Sequence, residues 1–457
     1  MPETKHRRRT WRRAAGRLVA RVSGVRVHDG EWTLVLLLCA AVFSLLTAYY
    51  LLKVIREPLI LLAGGAVRRS YARGAEAAVL ALTIPVYSLV ANRVEMSQLV
   101  KWVLASFAVT LTTFALWGPM GPWVAFVFFV WLGVFSTVSV AQFWSLANDV
   151  FSPADGRRLF PLVAIGGTVG AVVGAQLAGR LLGWLGYRQI MLLAVAFLAQ
   201  CILLIHLAHR HALRWPRWRP AEAAPRDLRG GFILILRDRY LGLIAGAVVL
   251  LNLIKTTGDF LLARLVKTRA DMAVGAARTF FIGDFYASYQ TWVTVLTAGV
   301  QIFLVGRLFR TVGLGRSLFL LPLLVLCGYG ASALVPVLGI IAAVNVLQNG
   351  TEYSIQNTIQ QALFLHTSRD AKYKAKAATD TFLVRVGDLG SMGLVALGTA
   401  LDASVLAFAL VNMVAALGWL WIVLHLARRQ RSWATPPRAP ADAARPDSWS
   451  RDSRGGS

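Results

Sequence analysis

The sequence is poor in charged residues for its length. Only 15% of its 457 residues are Asp, Glu, Lys or Arg, whereas soluble globular domains carry about 25%. Hydrophobic residues make up 57%, and they fall in long runs that give a mean hydropathy of +0.59. This pattern is typical of a chain that spans a membrane, and it excludes an ordinary soluble protein.

Cysteine is also scarce, and the short motifs of common enzyme classes are missing. The three cysteines, Cys39, Cys201 and Cys327, lie in apolar runs without a CxxC pair, so neither a zinc site nor a disulfide framework is expected. No GxxxxGK[ST], HExxH or GxSxG stretch occurs, which argues against an ATPase motor and the corresponding hydrolases. We therefore expect no cofactor, no metal and no enzymatic activity.

Acidic residues are few, and the basic excess is unevenly placed. The chain has 48 Lys and Arg against 22 Asp and Glu. Nine basic residues fall in residues 1–30, eight arginines lie from Arg210 to Arg239, and seven more occur from Arg428 onward. Basic tails and loops mark the cytoplasmic side of a membrane protein. The clusters therefore predict membrane topology and attraction to anionic membrane lipid, and no nucleic-acid binding.

Twelve apolar segments are long enough to cross a bilayer, which takes about 20 residues. They are 32–54, 72–92, 98–118, 121–148, 158–184, 188–208, 239–266, 280–309, 314–335, 337–365, 375–400 and 403–427, called predicted helices 1 to 12. The segment 210–238, rich in Pro, Trp and Arg, divides them six and six.

These segments predict an all-α polytopic membrane protein of the major facilitator type, in which substrate binds between two six-helix halves. The predicted domains are a basic tail at 1–30, halves at 31–209 and 239–428, a linker at 210–238 and a disordered tail at 429–457. An even number of helices places both termini and the linker in the cytoplasm. We expect a bacterial inner membrane protein; the sequence does not give its oligomeric state, and a monomer is compatible with it.

Charged side chains inside apolar helices are candidate functional residues, because each costs roughly 3 kcal/mol at the bilayer centre. Lys53, Arg56 and Glu57 share one face where predicted helix 1 ends. Lys255 and Asp259 share a face of predicted helix 7 with Asn252. The alternatives are that Lys53 and Arg56 reach lipid headgroups, and that Lys255 and Asp259 neutralise each other.

Predicted helices 10 and 11 carry further polar residues. A stripe in helix 10 contains Asn345, Gln348, Asn349, Glu352, Gln356 and Gln360; a face this polar should line a cavity or the contact between halves, or else form hydrogen bonds between helices. Predicted helix 11 contains Asp380, Arg385 and Asp388 after Lys374 and Lys376, and Arg385 and Asp388 could pair with each other. In predicted helix 5, Gly166, Gly170 and Gly174 form a GxxxGxxxG face that predicts close helix packing.

Four stretches resemble the nucleotide transporters of the bacterial and plastid ATP/ADP translocase type, which are major facilitator relatives. They are YYLLKVIREPL in predicted helix 1, FWSLANDVFSPADGRRLFPLVAIGGTVGAVVG across helices 4 and 5, Phe281, Gly283, Asp284 and Phe285 in helix 8, and YKAKAATDTFLVRVGDLGSMG in helix 11. The resemblance covers nearly all of residues 32–427.

The resemblance implies exchange of ATP for ADP, or related nucleotide transport, with cavity cations holding phosphates. It also implies a Lys in helix 1, a Glu in helix 4, a Glu in helix 7 and a Lys in helix 11. Arg56 keeps the first charge, Leu132 falls near the second position, Asp259 lies near the third, and Asp388 reverses the fourth. The resemblance therefore supports the scaffold more closely than the substrate contacts.

The sequence thus predicts a secondary transporter of a nucleotide or related organic anion. Lys53 and Arg56 would contact its phosphate or carboxylate, with help from Lys255. Asn148, Asn349 and Gln356 would bind its polar body. Asp259, Glu352 and Asp388 would balance charge or carry protons, and Glu57, Asp284 and Arg385 complete the predicted site.

Two other interpretations stay open. A transporter of the same architecture could carry a lipid, a peptide or a drug instead. A membrane scaffold without transport would need no buried polar stripe in predicted helix 10 and no central cavity. Those two features therefore distinguish a transporter from a scaffold. A membrane enzyme is less favoured, because the seven His residues are scattered.

Overall fold

A computed structural model describes residues 31–91, 95–116, 121–151, 153–213, 228–364, 367 and 375–434. Within these residues the chain is helical and contains no strand. The predicted N-terminal tail, most of the predicted C-terminal tail, and Lys374 lie outside them. The cytoplasmic location of the tails and the disorder of the last residues therefore stay predictions.

The N-terminal half contains six helices, α1 to α6. The first two are the arms, 31–63 and 66–91, of one long helix, Glu31–Ala91, that bends at Gly64 and Gly65. The others are α3 (Met96–Leu116), α4 (Pro122–Val150), α5 (Pro153–Leu181) and α6 (Tyr187–Leu213).

The C-terminal half contains α7 to α12, several of which include a π-helical turn. They are α7 (Arg239–Ala270), α8 (Ala276–Thr311), α9 (Leu314–Leu334), α10 (residues 338–363, with a π turn at Glu352–Gln356), α11 (residues 376–400, with a π turn at Thr379–Leu383) and α12 (Val405–Ala434). Ten helices in the described residues are long and apolar enough to cross a membrane when α1 and α2 count as one; α10 is not among the ten. The predicted all-α membrane fold is confirmed.

The first two helices differ from their predicted bounds. The cluster of Lys53, Arg56 and Glu57 lies inside α1, because the apolar residues after Pro58 continue the helix to Ala63. The chain breaks at Gly65, whose φ of 67° is in the left-handed region that favours glycine. Arg68 Nη1 then donates a hydrogen bond to the Ala63 carbonyl at 2.8 Å and satisfies the end of α1. As a result α2 begins earlier than predicted and includes two more basic residues, Arg68 and Arg69.

The predicted linker is helical at both of its ends. The helix α6 continues to Leu213, and a short linker helix, Leu228–Arg237, precedes α7. Asp238 then caps α7, since its side chain accepts hydrogen bonds from the backbone N–H groups of Tyr240 and Leu241. The residues between the two helical ends, 214–227, lie outside the described part of the chain.

The glycine face of α5 packs directly on α1. A Cβ atom at Gly166, Gly170 or Gly174 would lie 2.3 to 2.5 Å from a backbone carbonyl oxygen of α1. Thr47 of α1 also donates a hydrogen bond to the Gly170 carbonyl at 3.3 Å. Close backbone approach is how membrane helices gain van der Waals contact without a hydrophobic driving force, so this face is a packing surface inside the N-terminal half.

Two apolar cores correspond to the two halves. One contains buried residues of α1 and α3 to α6, and the other contains those of α7 to α12. The second core also includes Ile60, Leu61 and Ala66 from the bend between α1 and α2. The two halves therefore meet along α1, α2 and α5 of the N-terminal half, with α7, α8 and α11 packed against them.

Candidate functional site

A polar cavity of about 100 Å³ lies between the halves. Six helices line it: α1, α2 and α4 from the N-terminal half, and α7, α8 and α10 from the C-terminal half. Its aromatic side chains are Tyr49, Phe129, Tyr286, Tyr289 and Tyr353. Pockets for drug-sized ligands measure roughly 300–1,000 Å³, so this cavity must widen before a ligand of that size can enter.

Charged side chains dominate the wall of this cavity. Five are cations and three are carboxylates: Lys53, Arg56, Arg69, Arg73 and Lys255, and Glu57, Glu76 and Asp259. Each would cost roughly 3 kcal/mol if it faced lipid. The concentration of eight charges at one place between the halves makes the cavity the candidate substrate site.

The first ion-pair group joins α1 to α2 around Glu57. Its carboxylate lies 3.1 Å from Arg56 Nη2 and 2.6 Å from Arg69 Nε. The Arg56 guanidinium carbon sits 4.0 Å from the centre of the Phe129 ring, a cation–π arrangement that favours arginine. Arg69 Nη1 also donates to the backbone carbonyl of Asp259 in α7 at 3.5 Å. Arg56 and Glu57 are therefore buried and paired here, and do not reach the lipid headgroups.

The second group joins the two halves through Arg73. Arg73 Nη1 lies 2.9 Å from Glu76 Oε1, and its Nε lies 3.8 Å from Asp388 Oδ1 in α11. Asp388 in turn accepts hydrogen bonds from Thr256 at 2.6 Å and from Arg385 at 3.3 Å. The predicted pairing of Arg385 with Asp388 is present, and it belongs to a network that reaches the N-terminal half.

The third group joins α7 to α10. Lys255 Nζ lies 2.6 Å from Glu352 Oε1 and donates to the Tyr353 hydroxyl at 3.2 Å. Its partner is therefore on another helix, and the alternative of an ion pair with Asp259 within α7 does not apply. Glu352 begins the π-helical turn of α10, and such turns are frequent at functional sites.

Two cavity charges have no ion-pair partner within the part of the chain that the structure describes. Lys53 of α1 lies against the rings of Tyr49 and Tyr50, with Nζ 5.6 and 5.0 Å from their centres. Asp259 of α7 contributes its backbone carbonyl to Arg69, while its carboxylate lies within 4 Å of no described Lys or Arg nitrogen. These two groups are the charges that remain available to a substrate.

Several predicted site residues lie away from the cavity. Asn148 is exposed near the end of α4, because it lies on the outer face of a turn whose neighbours Leu146 and Ala147 are buried. Asp284 is exposed in α8 where that helix crosses α5 at Gly179. Gln356 is buried in α10 and is not part of the cavity wall, with its Oε1 unpartnered among described residues.

The polar stripe of α10 divides into two parts. Asn349 faces the cavity and donates to the Tyr289 hydroxyl at 3.0 Å. Asn345 and Gln348 are buried inside the C-terminal half, where the Tyr329 hydroxyl donates to Gln348 at 3.4 Å. Both of the uses that the sequence left open are therefore present, cavity lining and contact between helices.

Three cavity charges were missed from the sequence: Arg69, Arg73 and Glu76. The bounds predicted for helices 1 and 2 place Arg69 in a loop, where basic residues are common and do not indicate a site. Arg73 and Glu76 appeared to be ordinary charges at a helix end. Basic residues on the side opposite the basic tails break the topological rule, and that departure could have identified them.

One position implied by the family resemblance, the acid of helix 4, also has a structural counterpart. Leu132 is fully buried in the N-terminal core, so α4 offers no acid there. The carboxylate of Glu76 from α2 instead lies against Gly133, where an added Cβ would come within 2.0 Å of the Glu76 carboxyl carbon. An acid is thus present beside the expected position, supplied by a neighbouring helix.

Comparison with known sequences gives a family for the C-terminal half. Residues 227–430 match the family described as TLC ATP/ADP transporter. The chain is 23% identical over 312 residues to ADP,ATP carrier protein 1 of Chlamydia trachomatis. That alignment spans 59% of this chain and 57% of the length of the chlamydial protein. ADP,ATP carrier protein 4 of Rickettsia bellii is 21% identical over 367 residues, 67% of each chain.

Comparison with solved structures identifies the fold. The nucleoside transporter NupG superposes with a TM-score of 0.65 at 12% identity, over 87% of this chain and 99% of that one. The POT family transporter PepTSo gives 0.63 at 10% identity, over 88% and 98%. These proteins share the major facilitator-like arrangement of helices. The likeness to these structures shows the fold alone, and the sequence matches show that this multi-pass membrane protein is similar to the TLC ATP/ADP transporters.

Proposed function

We propose that this protein is a secondary transporter that moves a nucleotide or a related organic anion by alternating access. The observation that carries the proposal is the charged cavity between the halves, in which cations outnumber carboxylates by two in the wall and by one when the ion-pair partners Glu352, Asp388 and Arg385 are included. A surplus of positive charge in a site shielded from lipid favours an anionic substrate. Lys53, the unpaired cation, would contact the phosphate or carboxylate, with Arg56 and Lys255 close by.

The relatives support a nucleotide as the anion. The chlamydial and rickettsial proteins are ADP,ATP carriers by name, and five aromatic side chains in the cavity wall offer faces on which a base can stack. Transport then needs no covalent chemistry. Asp259, Glu352 and Asp388 would balance the cavity charge or carry protons.

The contacts between halves suggest how access alternates. Arg73 with Asp388, Arg69 with the Asp259 carbonyl, and Gln176 with Thr291 at 2.9 Å all lie toward the side where α1, α5 and α7 end. If the basic tails are cytoplasmic, as the charge pattern predicts, that side faces outward. We take the protein to be closed outward and to reside in the bacterial inner membrane with both termini inside.

Uptake of labelled ATP and ADP into cells that express the protein tests this proposal. We expect saturable uptake of at least one of them, and a strong loss of uptake in Lys53→Gln. Lys101→Gln is the matched control, since Lys101 lies in α3 outside the cavity. Absence of uptake with folded protein in the membrane would contradict nucleotide transport.

A transporter of another substrate is the second candidate. The observation in its favour is the reversed charge in α11, where the resemblance implies a lysine and Asp388 is instead buried in its own ion pairs. A lipid, peptide or drug would then enter the same cavity by the same rocking motion. The scaffold alternative is less favoured, because a protein without transport has no use for eight charges around a central cavity.

A further inference from the structure

Among the described residues, the pairing of charges in the cavity leaves one charge on each half without an ion-pair partner within 4 Å. Six of the eight charged side chains in the wall are in ion pairs of 4 Å or less. Within the described residues, the remaining two are Lys53 on α1 and Asp259 on α7. They have opposite signs, they line the same cavity, and they lie too far apart for an ion pair with each other.

We infer that Lys53 and Asp259 hold opposite ends of one substrate, with Lys53 binding its anionic group and Asp259 accepting hydrogen bonds from its neutral donors. The inference rests on the proposed function and adds which residue binds which end of the substrate. It assigns Asp259 a direct contact with substrate and makes that residue a determinant of specificity.

The chemistry of each group defines which end it binds. A lysine ammonium is a compact point charge that suits phosphate oxygens. A carboxylate is a hydrogen-bond acceptor only, and it repels phosphate. In a nucleotide, the donors that a carboxylate can bind are the ribose hydroxyls and the amino group of the base, and an acidic side chain serves the ribose in dinucleotide-binding folds. The nucleoside end therefore belongs at Asp259.

The position of the two groups on opposite halves has a consequence for transport. A ligand that reaches both would tie α1 to α7 and favour closure of the halves around it. Polyphosphate offers no donor to Asp259, and a nucleoside offers no charge to Lys53. Each of these fragments would then bind only one half, and only the complete nucleotide would stabilise the closed cavity.

A matrix of ligands and variants tests the inference. Dissociation constants of the purified full-length protein would be measured by calorimetry for ADP, tripolyphosphate and adenosine. We expect Lys53→Gln to weaken the binding of ADP and of tripolyphosphate by about tenfold or more, which is the effect of one charge-assisted hydrogen bond. The binding of adenosine should be unchanged. Asp259→Asn should weaken the binding of ADP and of adenosine by a similar factor, whereas tripolyphosphate should bind more tightly.

The controls separate this outcome from its rivals. Lys101→Gln and Asp402→Asn change charges outside the cavity, and Asp402 has a φ of 48° that asparagine also tolerates. Asp259→Glu keeps the carboxylate and should retain adenosine binding even if Asp259→Asn is poorly folded.

Two results would overturn the inference, and only the second would also contradict the proposed function. If Asp259→Asn strengthens the binding of both ADP and tripolyphosphate and leaves the binding of adenosine unchanged, then Asp259 only balances charge and does not contact the nucleoside end. If the wild type binds none of the three ligands, the proposed function fails together with the inference.

Discussion

Arg73 of α2 and Asp388 of α11 form the one ion pair that joins the two halves within the described residues, with Nε 3.8 Å from Oδ1. Each partner also has a counter-ion of its own half. Glu76 binds Arg73 at 2.9 Å, and Arg385 binds Asp388 at 3.3 Å. The halves can therefore separate here without leaving an unpaired buried charge, which is the expensive outcome in a membrane. Such a contact is suited to open and close during each transport cycle.

Removal of Arg73 should loosen this side of the protein. Arg73→Gln combined with Glu76→Gln removes the link between halves without leaving the buried Glu76 carboxylate alone, while Asp388 keeps Arg385 and Thr256. We therefore expect folding to be retained and closure to lose about 1 kcal/mol, or about fivefold in population. Met392, which packs against Gly74 of α2, would report the change. In a background without native cysteines, Met392→Cys should react about fivefold faster with a water-soluble maleimide when Arg73 and Glu76 are replaced.

The control for this experiment is Arg307→Gln, because Arg307 is exposed in α8 away from the contact. Equal labelling rates of Met392→Cys with and without the replacement of Arg73 and Glu76 would show that the ion pair does not hold the halves together.

Lys255 and Glu352 should be strongly coupled in stability. They form a largely buried pair at 2.6 Å, and removing one partner of a buried pair costs roughly 3–5 kcal/mol because the other charge is left behind. We therefore expect Lys255→Gln to lower the melting temperature markedly. The double variant Lys255→Gln with Glu352→Gln should recover much of the loss, since no lone charge remains. Additive losses in the double variant would argue against the pairing.

The glycine face of α5 should not tolerate a single methyl group. An alanine at Gly170 would place its Cβ 2.4 Å from the Phe43 carbonyl oxygen, so α1 and α5 must move apart. Overpacking of this kind costs roughly 1–3 kcal/mol. Gly393→Ala is the matched control, because its Cβ would meet nothing within 4 Å and alanine is the better helix former. Equal thermal stability of the two variants would contradict the close α1–α5 contact.

Much of the fold was predictable from the sequence because long apolar runs and basic loops follow directly from the membrane environment. The polar residues of predicted helices 1, 7, 10 and 11 indicated where the halves meet. What the sequence did not contain was the location of helix ends. Predicted helix 1 ends at residue 54, whereas the helix continues through the apolar residues 59–63 and the break falls at Gly65.

The site was harder to predict, because charge pairs form between helices that are distant in sequence. Lys255 pairs across 97 residues with Glu352 and not with Asp259 one turn away. Arg73 reaches Asp388 on the other half. Periodicity identifies which residues share a face, but only the packing of the helices decides which faces meet. Arg69, Arg73 and Glu76 were missed for this reason.

Counterflow in proteoliposomes tests the central claim, nucleotide transport through the charged cavity, most directly. Purified protein would be reconstituted into vesicles loaded with unlabelled ADP, and the entry of labelled ATP or ADP from outside would be followed. We predict rapid accumulation of label that requires internal nucleotide or a proton gradient and is lost in Lys53→Gln but retained in Lys101→Gln. No accumulation under either condition, in vesicles that contain folded wild-type protein, would contradict it.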